Sequence, residues 1–143
     1  MANEDEAAIR GLIDERVSAL RERDAARAVA MLAPDLVAFE LAPPLVADRP
    51  TDAAATQAWF DGLAGPVETE VRDLTVHVCG DVAFAHSLNR LRVVRKGGAV
   101  GAFWMRSTLG FRKRDGEWKI VHAHTSVPMR MDGTFTAAMD LEP

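Results

Sequence analysis

The residues of this chain best suited to chemistry are its histidines. His122 and His124 lie two positions apart in residues 118–126, where alternating apolar and polar residues predict a β-strand, so both imidazoles are expected on one face. His86 lies in an earlier segment of the same type and is a third candidate. Imidazoles on one sheet face can bind a metal ion, transfer protons or form a hydrogen-bonded cluster.

A structural cluster is the interpretation that we favour for these histidines. No carboxylate accompanies them in their short run, and the single cysteine, Cys79, excludes both an internal disulfide and a paired-cysteine zinc site. We therefore expect no metal and no other cofactor. The expected cluster spans a hairpin and contains His86, Arg106, Thr108, His122, His124 and Ser126.

Helices are predicted in the first half of the chain. Apolar residues recur at helical spacing between positions 9 and 20, with charged residues between them. Two further short segments begin after residues that commonly cap helices and end before proline or glycine. The predicted helices cover residues 4–23, 25–32 and 52–63, and the expected capping residues are Asn3, Asp24 and either Thr51 or Asp52.

Strand-like alternation dominates from residue 67 onward. The alternation changes phase near Asp73, which predicts a β-bulge, and glycine-containing pairs mark the turns between strands. The predicted strands cover residues 36–41, 67–78, 82–94, 100–113 and 118–127. Three helices followed by long strands predict one α+β domain over residues 1–143, with the helices on a strongly curved, mostly antiparallel sheet. Such a layer forms a cone, and its open end is the expected ligand pocket.

The turn at Asp115 and Gly116 decides which face of the sheet carries the histidines. A two-residue turn would place Leu109 beside His122, whereas a three-residue loop with a bulge at Gly116 would place Leu109 beside Val121. We favour the bulged loop because it collects the apolar residues of both strands on one face, toward the helices.

Under this register the two faces of the sheet differ in character. The inner face is neutral and lines the pocket, whereas the outer face carries large residues that solvent should not reach. The inner residues are Ser87, Asn89, Met105, Ser107, Leu109, Ala123 and Thr125, and Trp59 on the third helix is a further candidate for ligand contact. The outer residues are Trp104, Arg106, Thr108, Trp118, His122, His124 and Ser126.

Composition argues against several classes of partner. The formal net charge is −4 and the basic residues are spread along the chain, so a nucleic-acid partner is not expected. The acidic beginning lacks the apolar segment of a secretory signal, and no apolar run approaches the ~18 residues of a membrane span. A cytoplasmic location is therefore expected.

Several segments resemble the SnoaL-like branch of the nuclear-transport-factor-two-like superfamily. They are residues 76–78, the Gly80-Asp81 pair and RKRDGEWKIVHAHTS at residues 112–126. The last hairpin is also similar to the association domain of calcium/calmodulin-dependent kinase. That domain has arginines in its pocket, and Asn89, Leu109 and Thr125 occupy the matching positions in this chain. The resemblance implies a cystatin-like cone and a homodimer formed through the outer face of the sheet. It implies no single activity, since the superfamily contains isomerases, cyclases, dehydratases and non-catalytic assembly domains.

The resemblance also singles out Glu40. Ketosteroid isomerases carry their general-base aspartate at a similar place after a short strand, and Glu40 matches that place. A carboxylate at the rim of an apolar cone would be partly desolvated, which would make it a stronger base. Those enzymes use a tyrosine to stabilise the oxyanion. This chain has no tyrosine, so Asn89 or Ser87 would have to donate instead.

Two functions remain open from the sequence. One is a cofactor-independent isomerase or lyase that transfers a proton on a small apolar carbonyl or polyketide-like substrate, with Glu40 as the base. The other is a non-catalytic ligand-binding or accessory dimer of the same fold.

Overall fold

Helices cover one face of a curved sheet in the chain order that the periodicity predicts. The computed structural model describes residues 2–143. Its helices are α1 (Ala2–Glu22), α2 (Ala25–Ala30) and α3 (Ala53–Asp61), and its strands are β1 (Leu32–Phe39), β2 (Glu68–Cys79), β3 (Val82–Val94), β4 (Val100–Arg114) and β5 (Glu117–Ser126). The strand order is β1-β5-β4-β3-β2; β1 runs parallel to β5, and every other neighbouring pair is antiparallel. The predicted α+β class with a mostly antiparallel sheet is confirmed.

The helix caps follow the prediction at two of three positions. The Asp24 side chain accepts from the backbone N–H of Arg27 at 3.1 Å, and the Asp52 side chain accepts from Ala54 N–H at 2.9 Å. These bonds satisfy donors that the first helical turn leaves unpaired. The Asn3 cap is wrong, because α1 already begins at Ala2. Residue 32 begins β1 rather than ending the second helix, and β1 ends one residue before Glu40.

Two apolar clusters join the helices to the sheet. Phe60 and Phe111 are each 0% exposed, one in each cluster, and burial of such a side chain contributes about 1.5–3 kcal/mol. The first cluster contains Ile9, Ile13, Met31, Ala83, Ala85, Leu109, Phe111, Trp118 and Ile120. The second contains Ala19, Ala25, Ala28, Phe60, Leu63 and Val67. Because α1 contributes residues to both clusters, it connects the two parts of the apolar core.

The final hairpin has a two-residue turn, so the predicted three-residue loop is wrong. Arg114 pairs with Glu117, and the turn residues Asp115 and Gly116 have φ angles of 53° and 78°. Positive φ at both central residues matches the primed turn whose twist suits a hairpin. The register shifts farther along, between the pairs Phe111–Ile120 and Gly110–His122, so that Val121 is the extra residue.

This bulge at Val121 preserves the predicted faces although the predicted pairs are wrong. Leu109 pairs with Ala123 rather than with Val121, and Thr108 pairs with His124. The observed register differs from the predicted one by two residues, and side chains alternate with a period of two, so each residue beyond the bulge keeps its face. The predicted outward position of the two histidines is therefore confirmed.

Trp118 is the exception, because it precedes the bulge. It was expected on the outer face, but it is only 6% exposed and belongs to the first core cluster. The predicted bulge in β2 is confirmed, since the β2–β3 register shifts between Arg72 and Thr75 and Asp73 has a φ of 55°. Among the described residues, no helix combines the length and apolar composition needed to span a membrane.

Candidate functional site

The interior of the cone is a small cavity of about 90 Å³ between α1 and the inner face of the sheet. Four strands and α1 line it. Six of the predicted ligand-contact residues line this cavity, namely Ser87, Asn89, Met105, Ser107, Leu109 and Thr125. The structure thus brings together the inner-face residues that alternation places on β3, β4 and β5.

Small neutral groups supply most of the polarity of this interior. The Ser87 hydroxyl donates to the Asn89 side-chain oxygen at 2.7 Å, which leaves the Asn89 amide hydrogens for another acceptor. Ser107 is 7% exposed and lies directly opposite Thr125 in the β4–β5 ladder. These hydroxyl and amide groups can donate to an oxygen atom of a ligand.

Arg16 places a positive charge in this otherwise neutral interior. Its side chain is half-buried on α1 and lines the cavity, and within residues 2–143 it forms no hydrogen bond and no ion pair. Desolvation lowers the pKa of Arg16, and the charge of Glu40 raises it in partial compensation. The sheet side of the interior is neutral, and its charge comes from the helix side.

Sequence reasoning missed Arg16, although a signal was present. The residue lies three positions after Ile13 and four before Leu20, on the apolar stripe of α1 rather than on its charged face. A charged side chain inside an apolar stripe either extends its head group past the core to solvent or lies in a buried site.

A larger cleft adjoins the interior at the end of β5. It has a volume of about 860 Å³ and is bordered by residues 40–46, the end of β5 and the tail residues Ala137 and Met139. Thr125 lines both spaces, so the cleft and the interior meet at this residue. Most of the lining is apolar, as is usual for sites that bind small organic molecules.

Glu40 lines this cleft rather than the interior. Its side chain is exposed, so the expected partial desolvation is not observed. Among the described residues that border the cleft, Glu40 is the only carboxylate and His124 the only imidazole. Arg49 is not its partner, because the ion pairs of Arg49 are with Asp48 at 3.7 Å and Asp52 at 3.3 Å.

Trp59 lies on α3 and borders neither space. It is 39% exposed, and its ring packs against Phe60 with 5.2 Å between centroids. The geometry gives no support to ligand contact by this side chain in either space.

The outer face of the sheet carries all four histidines of the chain. His122 Nδ1 lies 2.7 Å from the Val37 carbonyl oxygen, and the Phe39 ring meets the rings of His122 and His124 edge-on at 5.0 and 5.5 Å. On β2 and β3 the rings of His77 and Phe84 stack at 4.8 Å. These residues form a band across the sheet, which we call the aromatic band: Val37, Phe39, His77, Phe84, His86, His122 and His124.

The band differs from the predicted polar cluster. Within the described residues, no hydrogen bond joins His86, His124 or Ser126 to Arg106. The histidines instead contact aromatic rings and a backbone carbonyl. The part of the chain that the structure describes contains no group of three potential metal ligands.

Comparisons with known proteins agree with this architecture. Residues 9–130 match the SnoaL-like domain. An NTF2-like protein of unknown function from Pseudomonas putida KT2440 is 34% identical over 100% of this chain and 99% of its own, with a TM-score of 0.86. No functionally curated protein matches the sequence.

Two more distant structures show the fold alone. The association domain of calcium/calmodulin-dependent protein kinase II from C. elegans has a TM-score of 0.68 at 18% identity, covering 88% of this chain and 98% of that one. An NTF2-like protein from Streptomyces avermitilis, named provisionally as a dehydratase, has a TM-score of 0.76 at 13% identity, covering 91% and 100%.

Proposed function

Because this chain belongs to the SnoaL-like domain family, we propose that it binds a small organic molecule with an apolar body and transfers a proton on it. The apolar body occupies the cleft beside residues 40–46, and the reacting carbonyl lies toward Thr125. The reaction is an isomerisation or an elimination that needs no cofactor. The observation that carries this proposal is the cleft itself, with Glu40 as its one carboxylate among the described residues.

In this mechanism Glu40 acts as the general base. Its carboxylate removes a proton from the carbon next to the carbonyl, and the electron pair of the broken C–H bond moves to the carbonyl oxygen as an enolate. The Asn89 amide, oriented by the hydrogen bond from Ser87, and the Thr125 hydroxyl donate to that oxygen and stabilise it. If the substrate has a β,γ double bond, Glu40 returns the proton to the γ-carbon and an isomerisation is complete. If it has a β-hydroxyl group, the C–O bond breaks as the carbonyl re-forms, the proton on Glu40 goes to the departing oxygen, and water leaves. The name of the Streptomyces avermitilis relative refers to the second outcome.

Ligand binding without catalysis is the second candidate function. One observation favours it, since Glu40 is exposed to solvent rather than enclosed with the donors of the interior. A base in water loses the advantage that a desolvated carboxylate has.

Exchange of carbon-bound hydrogen in D₂O separates the two candidates without knowledge of the natural substrate. We expect the protein to accelerate deuterium incorporation next to the carbonyl of 4-phenyl-2-butanone, followed by proton NMR. A positioned general base contributes roughly 10²–10⁴-fold, so Glu40→Gln is expected to remove most of the acceleration.

Glu117→Gln is the matched control, because Glu117 is an exposed carboxylate on the final hairpin, outside the cleft. Equal exchange rates in Glu40→Gln and the unaltered protein would exclude Glu40 as the base. Binding of the ketone without exchange would support the non-catalytic function.

We further propose that the chain forms a homodimer through the aromatic band. Phe84 is 49% and Val37 is 45% exposed, and the band has residues on four of the five strands of the described sheet. A contiguous exposed surface of this kind commonly marks a contact with another protein. Similarity to the association domain of a kinase supports a self-associating version of the fold.

A further inference from the structure

The guanidinium of Arg16 has no hydrogen-bond or ion-pair partner among the described residues, although its side chain lines the interior. A half-buried guanidinium carries five N–H donors, and no acceptor among the described residues takes any of them. Glu40 acts on Arg16 only through its charge, because no ion pair within 4.0 Å joins the two side chains. Among the described residues, the lining of the interior therefore offers one positive group and no carboxylate.

From this arrangement we infer that Arg16 binds the carboxylate of the ligand, so that the ligand is a monoanionic organic acid with an apolar body. This inference rests on the proposed function, because it assigns the ligand class of the same cleft and interior. The planar fork of an arginine matches the two oxygens of a carboxylate. One positive charge balances one negative charge, and the described residues that line the interior include no second cation to balance a phosphate dianion.

The volumes of the interior and the cleft suit a ligand with a compact head group and a larger apolar body. The interior, at about 90 Å³, is too small for a whole drug-sized molecule, whose sites measure ~300–1,000 Å³. It has room for a compact head group, with the ligand carboxylate at Arg16 and the reacting carbonyl beside it at Thr125. The cleft, at about 860 Å³ with an apolar lining, has room for the body, and the two spaces meet at Thr125.

A purely structural role and a ligand-binding role for Arg16 predict opposite effects of its replacement on the stability of the unliganded protein. A structural arginine would be held by hydrogen bonds, and its removal would destabilise the fold. An unpaired, desolvated charge opposes folding until a ligand compensates it. We therefore expect Arg16→Met, which replaces the aliphatic part of the side chain and removes its charge, to raise the melting temperature of the unliganded protein.

Isothermal titration with matched probes tests the inference. The probes are 3-phenylpropanoate and 3-phenylpropanamide, which share one body and differ in the charge of the head group. We expect the acid to bind more tightly than the amide, and Arg16→Gln to weaken the acid by roughly 10- to 100-fold, the range for hydrogen bonds to charged groups. Binding of the amide should be unchanged in Arg16→Gln, and Arg16→Lys should retain part of the preference for the acid.

Arg21→Gln is the control for the overall charge, because Arg21 is exposed on the same helix and borders neither space. It should leave both affinities unchanged. Equal binding of acid and amide, with both affinities unaffected by Arg16→Gln, would overturn the inference and leave binding in the cleft intact. Lower melting temperatures in both Arg16→Gln and Arg16→Met, with an unaltered preference for the acid, would overturn it in favour of a structural role.

Failure of the two proposals can be distinguished. Arg16-dependent binding of the acid, together with no hydrogen exchange on 4-phenyl-2-butanone, supports the carboxylate site and rejects the catalytic part of the proposed function. Failure of the unaltered protein to bind 3-phenylpropanoate while it binds the amide or the ketone overturns the carboxylate site alone.

Discussion

At the scale of single residues, Asp5 joins the first turn of α1 to the final hairpin. Its Oδ1 accepts from Trp118 Nε1 at 2.9 Å and from Lys113 Nζ at 3.0 Å. The hydrogen bond from Trp118, which has the largest effect, and the hydrogen bond from Lys113 hold the pKa of Asp5 below its ordinary value of 3.8. Trp118 is a core residue, so this carboxylate satisfies an indole N–H that would otherwise be buried unpaired.

The lowered pKa predicts how Asp5 contributes to stability at different pH values. Because the folded state favours the ionised form, the contribution is fully present above pH 3.8 and is lost as the pH falls through the lower folded pKa. We expect Asp5→Asn to lower the melting temperature at neutral pH. The difference in melting temperature from the unaltered protein should become progressively smaller as the pH falls below 3.8. Thermal denaturation between neutral and strongly acidic pH measures both curves.

Asp14→Asn serves as the control for Asp5, since Asp14 is exposed on the same helix and has no hydrogen bond or ion pair within residues 2–143. It should change the melting temperature little at any pH. A melting-temperature difference for Asp5→Asn that stays constant across the pH range would contradict the electrostatic account.

At the scale of elements, the bulge at Val121 allows one strand to serve two different surfaces. Before it, Trp118 and Ile120 lie in the core; after it, Ala123 lies toward the core and His122 and His124 lie on the outer face. Gly110 lies opposite the bulge, and a Cβ atom there would come within 3.3 Å of the His122 Cβ. A side chain at position 110 would therefore crowd the approach of β5.

Deletion of Val121 should leave the residues that follow it on the faces that they now occupy. It would join Ile120 directly to His122, so the pairs Phe111–Ile120 and Gly110–His122 would become neighbours in a regular ladder. We expect the variant to keep a cooperative unfolding transition and to lose about 1–3 kcal/mol in the free energy of unfolding, because the bend in β5 changes. Val121→Ala keeps the bulge and should cost about 1 kcal/mol.

Urea denaturation followed by tryptophan fluorescence measures the effect on both variants. Loss of the cooperative transition in the deletion variant would contradict the assignment of Val121 as the extra residue of the ladder.

At the scale of the whole molecule, the proposed dimer follows from the exposure of the aromatic band. Phe84 lies on β3, which has a neighbouring strand on each side, and its outer surface is half exposed, so a second copy of the chain could cover it. Two copies related by a two-fold axis would place the same band against itself.

Sedimentation tests this dimer at micromolar protein concentration. We expect the unaltered protein to sediment as a dimer, Phe84→Arg to shift it toward monomer, and His124→Ala to lower its stability. Met131→Arg is the control, because Met131 is 79% exposed in the tail and lies outside the band. A monomeric unaltered protein, with no loss of stability in His124→Ala, would rule out an interface at the band.

Much of the fold could be predicted because its signals are local. The caps at Asp24 and Asp52 and the bulge near Asp73 each depend on a few adjacent residues. The alternation of β3 and β4 placed Ser87, Asn89 and Ser107 on one face by the same local geometry.

Arg16 and Val121 show what the sequence alone could not determine. The sequence placed a charge on the apolar stripe of α1, but whether that charge reaches solvent or a cavity depends on how closely the sheet packs opposite it. The sequence also allowed two registers for the final hairpin, and neither is the register found. The decision required Trp118, Ile120 and Ala123 to share one core, which forces the extra residue out at Val121. Both outcomes depend on contacts between residues far apart in the chain, and such contacts exist only in the tertiary structure.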